Sequence, residues 1–347
     1  MPNAQRVLLD LAAEESMRTT RAWVLVIAVV ALGTTALQSQ QPQQPAPGTP
    51  TQLAAVPARE PSWAFPVQAG QLPAEPPGEK SVPGSTKKYT PAQIDDLLNP
   101  PDWFPDEHKP APPIVQKGHG MALACGSCHL MSGTGHPESS DVTGSTADYI
   151  YQQMQDFKSG ARKDYARMNG ISAELSDQEM RQAAEYFAAL PRVKWSKVVE
   201  AAMVPKTFVG QGRMRFIDPK ASGMEPIGKR IITLPEDQTR ARLRDPKIGF
   251  VSYVPPGSVA KGKSLVENGG GGKSVQCSIC HGEGLKGLGN VPRIAGVHPI
   301  YLARQLHLFK EGDRNGPDAA LMKRPVAKLT DDDILNIAAY VGGLPPQ

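Results

Sequence analysis

Cysteine is scarce in this chain of 347 residues: there are four. They fall as two pairs, Cys125/Cys128 and Cys277/Cys280. A disulfide framework accounts for them poorly, because partners two residues apart staple little and each pair runs directly into a histidine. A single zinc site fits no better. Roughly 150 residues separate the pairs, whereas zinc-binding pairs usually sit within about 20 residues of each other. Excess charge is scarce too. The net charge is only +4, and no basic patch interleaved with aromatics appears, so no nucleic-acid partner is expected.

Apolar runs of membrane-spanning length, about 20 residues, are missing as well. Ala22–Leu37 holds about sixteen and follows the basic stretch Met17-Arg-Thr-Thr-Arg21, which reads as a secretory signal within residues 1–39. No small-x-small cleavage site follows Leu37, so an uncleaved N-terminal membrane anchor is the alternative. Proline and glycine are abundant instead, concentrated in residues 41–113, 205–258 and 269–272. The core-forming part is therefore smaller than the length suggests.

Against that background the cysteines stand out. Cys125-Gly-Ser-Cys128-His129 and Cys277-Ser-Ile-Cys280-His281 are both C-x-x-C-H, the attachment signature of c-type haem. Two thiols add across the vinyl groups, and the histidine is placed below the iron as proximal ligand. One helical turn can present all three groups to one porphyrin. Two covalently bound haems c are expected, and the chain is expected to be exported to the periplasm, soluble or tethered to the inner membrane.

The motifs head two copies of one pattern, which is the strongest sign of the fold. Twenty residues separate His129 from Tyr149 and His281 from Tyr301. Each tyrosine opens a helical stretch, with Gln153/Gln305, Met154/Leu306, Phe157/Phe309 and Lys158/Lys310 in register and a glycine at each end. The closing helices, Leu175–Leu190 and Leu329–Leu344, align without gaps. Ser176 and Thr330 are their N-caps, and Ser176 with Glu179 makes a capping box. Met180, Ala184 and Phe187 match Ile334, Ala338 and Val341 as one apolar stripe.

The predicted domains follow: residues 109–191 and 258–347 are two helical domains. Residues 192–257 are a connector with one or two β-hairpins, from β-prone runs at Val204–Val209, Arg213–Ile217, Lys229–Leu234 and Phe250–Val254. Residues 40–108 read as a Pro/Gln-rich linker, flexible to about Thr86, with a short helix from Pro91 to about Leu98. Trp103 and Phe104 are expected to pack on the first domain.

A six-coordinate haem needs a second axial ligand, and methionine is the usual electron-transfer choice. Eleven methionines are too many to choose from unaided. Register narrows them: Met168 lies seven residues before Leu175, and Met322 seven before Leu329. His119, His136, His298 and His307 have no histidine counterpart in the other copy. His136, in the loop after the first motif, is the one to watch; His307 reads as packed or surface. Each proximal histidine also needs its other nitrogen held by a carbonyl, and Pro292-Arg-Ile-Ala-Gly296 is placed for that in the second copy.

C-x-x-C-H-G, P-R-I-A-G, Y-L-x-x-Q-L, a methionine and L-T-D-D-D-I…A-A-Y together resemble the class I cytochromes c, specifically the dihaem cytochrome c4 / cytochrome c553 family. The resemblance covers about 109–191 and 258–347 and is closer in the second copy. It implies a mainly α fold of two tandem class I cytochrome c domains. It also implies thioethers at Cys125, Cys128, Cys277 and Cys280, iron ligation by His129/Met168 and His281/Met322, and a bond from His281 to the Pro292 carbonyl. In the first copy Ser140 stands where Pro292 does, and Leu130 where Gly282 does. The long connector also departs from that family.

The function expected from these observations is one-electron relay between redox partner proteins in a respiratory or periplasmic chain, without substrate turnover of its own. A peroxidase-like dihaem oxidoreductase with access at haem 1 is the enzymatic rival. A haem subunit of a membrane-bound dehydrogenase or oxidase complex, held by residues 22–37, differs from the relay in partner only.

Overall fold

The computed structural model describes residues 59–346, except Gln68, Tyr165 and Lys194. The signal or anchor segment lies outside the described residues. Among those described, no helix is long and apolar enough to cross a membrane.

Two short helices, α1 (Pro91–Ile94) and α2 (Pro113–Gln116), precede the first motif. Thr90 and Gln93 form the capping box of α1, with Pro91 at its first position. It ends before Leu98, sooner than the sequence predicts. The first helical set follows: α3 (Gly126–His129), α4 (Ala147–Ser159), α5 (Met168–Glu174) and α6 (Asp177–Ala188). Thr146 caps α4, and left-handed Gly160 ends it. Ser176 and Glu179 close the predicted capping box on α6. Ile150, Met154, Leu175, Met180, Ala184 and Phe187 form the core of this set.

The second set is α8 (Ser258–Asn268), α9 (Ser278–His281), α10 (Pro299–Glu311), α11 (Ala320–Val326) and α12 (Asp331–Gly343). It has its own core, in which Ile300, Ile334, Ala338 and Val341 are buried. Thr330 and Asp333 cap α12 reciprocally. The helix-rich character and the matched stripes agree with the sequence reading.

The stretch between the sets is more structured than a connector with hairpins. Its strands are β1 (Ser196–Glu200), β2 (Met203–Pro205), β3 (Thr207–Val209), β4 (Arg215–Ile217), β5 (Met224–Pro226), β6 (Ile232–Pro235) and β7 (Phe250–Val254), with the short helix α7 (Gln238–Arg242) before β7. β2 pairs with β5 and β3 with β4, both antiparallel. β7 lies between β1, which is parallel to it, and antiparallel β6. Trp195, Phe216, Ala241, Ile248 and Phe250 form a core of their own here, and Leu130 packs against it. The sequence runs locate β2, β3, β4, β6 and β7. β1 and β5 were not expected.

Two expectations about the N-terminal segment need correction. Residues 59–86 are not simply a flexible linker: Trp63, Ala64 and Phe65 are buried in the core of the second set, and the Ala64 carbonyl accepts a bond from Arg304 Nε at 2.8 Å. Composition reports average polarity, and three consecutive buried residues are enough to overturn it. Trp103 packs not on the first helical set but with Val82, Ile94, Phe104 and Leu243. Its indole N–H donates to the Leu243 carbonyl at 2.8 Å.

Candidate haem centres

In each motif the first cysteine is the N-cap of a single helical turn: Cys125 before α3, Cys277 before α9. The turn closes on the histidine, whose N–H donates to that cysteine's carbonyl, at 2.9 Å for His129 and 3.0 Å for His281. Both cysteines and the imidazole are thus gathered within one turn. The backbone after each motif repeats as well. The His129 carbonyl accepts from Gly135 N–H at 2.9 Å, and the His281 carbonyl from Gly287 N–H at 2.8 Å.

Each imidazole is oriented from the same side. His281 Nδ1–H donates to the Pro292 carbonyl at 2.8 Å. His129 Nδ1–H donates to the Ser140 carbonyl, also at 2.8 Å. The bond uses main-chain oxygen, so replacing Pro292 by Ser140 leaves it unchanged. It fixes the tautomer and leaves the Nε2 lone pair available to a metal. Burial pushes both imidazoles below their ordinary pKa, which favours the neutral, ligating form.

All four cysteines are free. Burial drives the Cys125 thiol up to about 12 and Cys277 to about 11, so neither is a ready thiolate at neutral pH. Among the described residues no three His, Cys, Asp or Glu side chains are placed to hold a bare metal ion between them. The donor set at each motif is two thiols and one neutral imidazole, which suits a thioether-linked haem.

Met168 begins α5, and Met322 is the third residue of α11; both are half-buried. Asp164 holds the first in place, accepting from the N–H of Arg167 at 2.8 Å and of Met168 at 2.9 Å. Burial alone would raise its carboxyl, but nearby Arg213 and these two N–H groups outweigh it and hold the pKa below the ordinary value. Met322 packs on the core of the second set.

His136 sits in the first loop with its Nδ1 accepting from Glu138 N–H at 3.3 Å. His307 is buried between the edges of Trp63 and Phe65, a packed histidine. His298 is buried against Phe250.

Sequence reasoning missed a cluster joining the two sets. Arg162 donates to Gln153 at 2.7 Å within its own set, and to Tyr301 at 3.0 Å and Gln305 at 2.8 Å across the boundary. Arg314 donates to Gln305 at 3.1 Å in its own set, and to Tyr149 at 2.7 Å and Gln153 at 2.9 Å across it. These are matched positions, so the boundary is self-complementary like a twofold interface. Both guanidiniums are buried; among the described residues neither has a carboxylate in salt-bridge contact, and Arg162 Nε has no partner. Burial alone would raise the Tyr301 phenol, but the two arginines pull its pKa below the ordinary value. The signal was there: each arginine stands two residues past the glycine ending its helix, Gly160 and Gly312.

A protein with two such motifs, each a C-x-x-C-H turn with a carbonyl-held histidine, falls in the class of c-type cytochromes. The family profile described as Cytochrome c matches residues 259–345. Cytochrome c-554(548) of Halomonas halodenitrificans is 38% identical over 65 residues, 18% of this chain and 78% of that one. The chain belongs to the cytochrome c family and is similar to the dihaem class I cytochromes of the cytochrome c4 type. Cytochrome c4 of Pseudomonas aeruginosa is 27% identical over 231 residues, covering 65% of this chain and 87% of the relative. A protein named thiosulfate dehydrogenase electron acceptor, from Stutzerimonas stutzeri, is 26% identical over 225 residues, covering 63% and 78%.

Proposed function

We propose that the chain is an exported dihaem cytochrome that passes single electrons between redox partner proteins. Residues 109–191 would carry one haem on Cys125 and Cys128, with His129 and Met168 as axial ligands. Residues 258–347 would carry the other on Cys277 and Cys280, with His281 and Met322. The observation that carries this reading is the pair of matched Nδ1–H to carbonyl bonds, 2.8 Å in both copies. Each leaves one imidazole nitrogen ready for iron.

Haem, when bound, supplies a one-electron ferric/ferrous couple. The chain's own residues do the rest. Ser140 and Pro292 hold the imidazoles in the ligating tautomer. Asp164 holds the start of α5, and with it Met168. In the Arg162/Arg314 cluster, Arg162 Nε is the buried N–H without a partner among the described residues, a donor of the kind that a porphyrin carboxylate would accept from. Closed coordination at both irons would leave no open position for substrate, so relay is favoured over peroxidase-like chemistry. The relative named as an electron acceptor supports the same reading.

The test is the purified protein with its haem attached. Two haems per chain and no carbon monoxide binding by the reduced form at neutral pH are expected. Met168→Ala and Met322→Ala should each open one site to it. High-affinity binding by the unaltered protein would overturn the assignment of the methionines.

A further inference from the structure

Three matched positions, in or near the motifs and beside the methionines, differ in polarity and exposure between the two copies. In the second copy these are Ile279 inside the motif, Leu288 seven residues past its histidine, and Leu321 just before Met322. They are apolar and 67%, 62% and 66% exposed. Cys280 beside them is exposed as well. The matched residues of the first copy are Ser127, His136 and Arg167. Ser127 is buried at 1%, and the other two are half-buried.

What covers the first copy is the stretch between the helical sets. Arg244, two residues past the end of α7, donates to the Ser127 carbonyl and is close enough to Arg167 to feel its charge. Gly212 lies against the ring of His136, and Leu130 packs into the connector's own core. Among the described residues, nothing comparable covers Ile279, Leu288 or Leu321, which stay more than 60% exposed.

Large apolar side chains this exposed, beside one motif and its candidate methionine, mark a surface on which a partner can dock. The sequence flanking Leu288 and Leu321 carries exposed Lys286, Lys323, Arg324 and Lys328 against Glu283 and Asp318. The balance is positive. We infer that the connector seals the edge of the first haem site, leaving Ile279, Leu288 and Leu321 as the one docking face for a redox partner with an acidic rim. Electrons would then enter and leave through the second site, with the first as an inner relay or reservoir. This inference rests on the dihaem reading above, so haem content and the reduced spectrum are measured first on the same samples. Failure there sinks that reading and is distinguishable from a failure of the docking face.

The probe is an acidic blue copper protein in its copper(I) form, titrated at low ionic strength into the reduced, isotopically labelled full chain. The amides of residues 279, 288 and 321 and their neighbours should shift. Shifts centred on residues 127, 136 or the connector would overturn the inference, as would no shift anywhere. With the copper(II) form, Leu288→Glu and Leu321→Glu should each slow second-order electron transfer at least tenfold. Met203→Glu, an exposed change in β2, should leave it within twofold. Equal slowing by Met203→Glu would reduce the effect to net charge and contradict a defined face.

Discussion

Arg162 and Arg314 pair their backbones in an isolated antiparallel bridge, and each guanidinium reaches across to the other half's tyrosine. The arginines occupy the same position in the two copies, so one contact is used twice. A buried cation without a carboxylate favours the state of a nearby iron that carries one less positive charge. Arg314→Met should therefore lower at least one reduction potential. A shift on the order of 60 mV corresponds to about 1.4 kcal/mol for one electron. Spectroelectrochemistry reads it, and unchanged potentials would separate this cluster from the haems.

Leu130 follows the first motif with φ 59° and ψ 162°, the conformation that Gly282 adopts after the second at 75° and 173°. A side chain there is strained by about 1–3 kcal/mol. Leu130→Gly should consequently be less destabilising than Leu130→Ala, because both lose packing on the connector but only glycine relieves the strain. Gly282→Ala should cost about 1–3 kcal/mol, since its Cβ would meet the Gly287 carbonyl oxygen at 2.7 Å. Denaturant melts of the three variants check the order.

Much of this was readable because it is local. The C-x-x-C-H turns, the caps at Ser176 and Thr330, and the stripe Met180/Ala184/Phe187 depend on neighbours within one or two turns. Comparing the copies then singled out Met168 and Met322 as candidate ligands. What escaped was long-range. Nothing near Trp103 announces Leu243 as its partner, and β1 pairs in parallel with a strand more than fifty residues on. Trp63 and Phe65 sit in a proline-rich stretch whose average composition conceals them.

The Asp164 carboxyl gives the first site a dependence on pH. Its folded pKa lies below the ordinary value of 3.8, so its contribution to stability is present above that value. It is lost as the pH falls through the folded pKa. The stability difference between the unaltered protein and Asp164→Asn should be largest near neutrality and vanish in strong acid. Melts at a series of pH values measure it, and a difference independent of pH would contradict the assignment.

Docking of the N-terminal segment is tested at Trp103. Trp103→Phe keeps an aromatic ring but removes the bond to the Leu243 carbonyl, for an expected cost of about 1 kcal/mol. Protease cleavage between residues 59 and 110 should become faster in that variant. Equal rates would mean the segment is held elsewhere.

Carbon monoxide tests most directly the proposal that two closed, methionine-ligated haems sit on one chain. The reduced protein with two haems attached should not bind it at neutral pH. Met168→Ala and Met322→Ala should each bind one equivalent, and the double variant two. Binding by the unaltered protein, or a methionine variant that stays closed, would contradict the account.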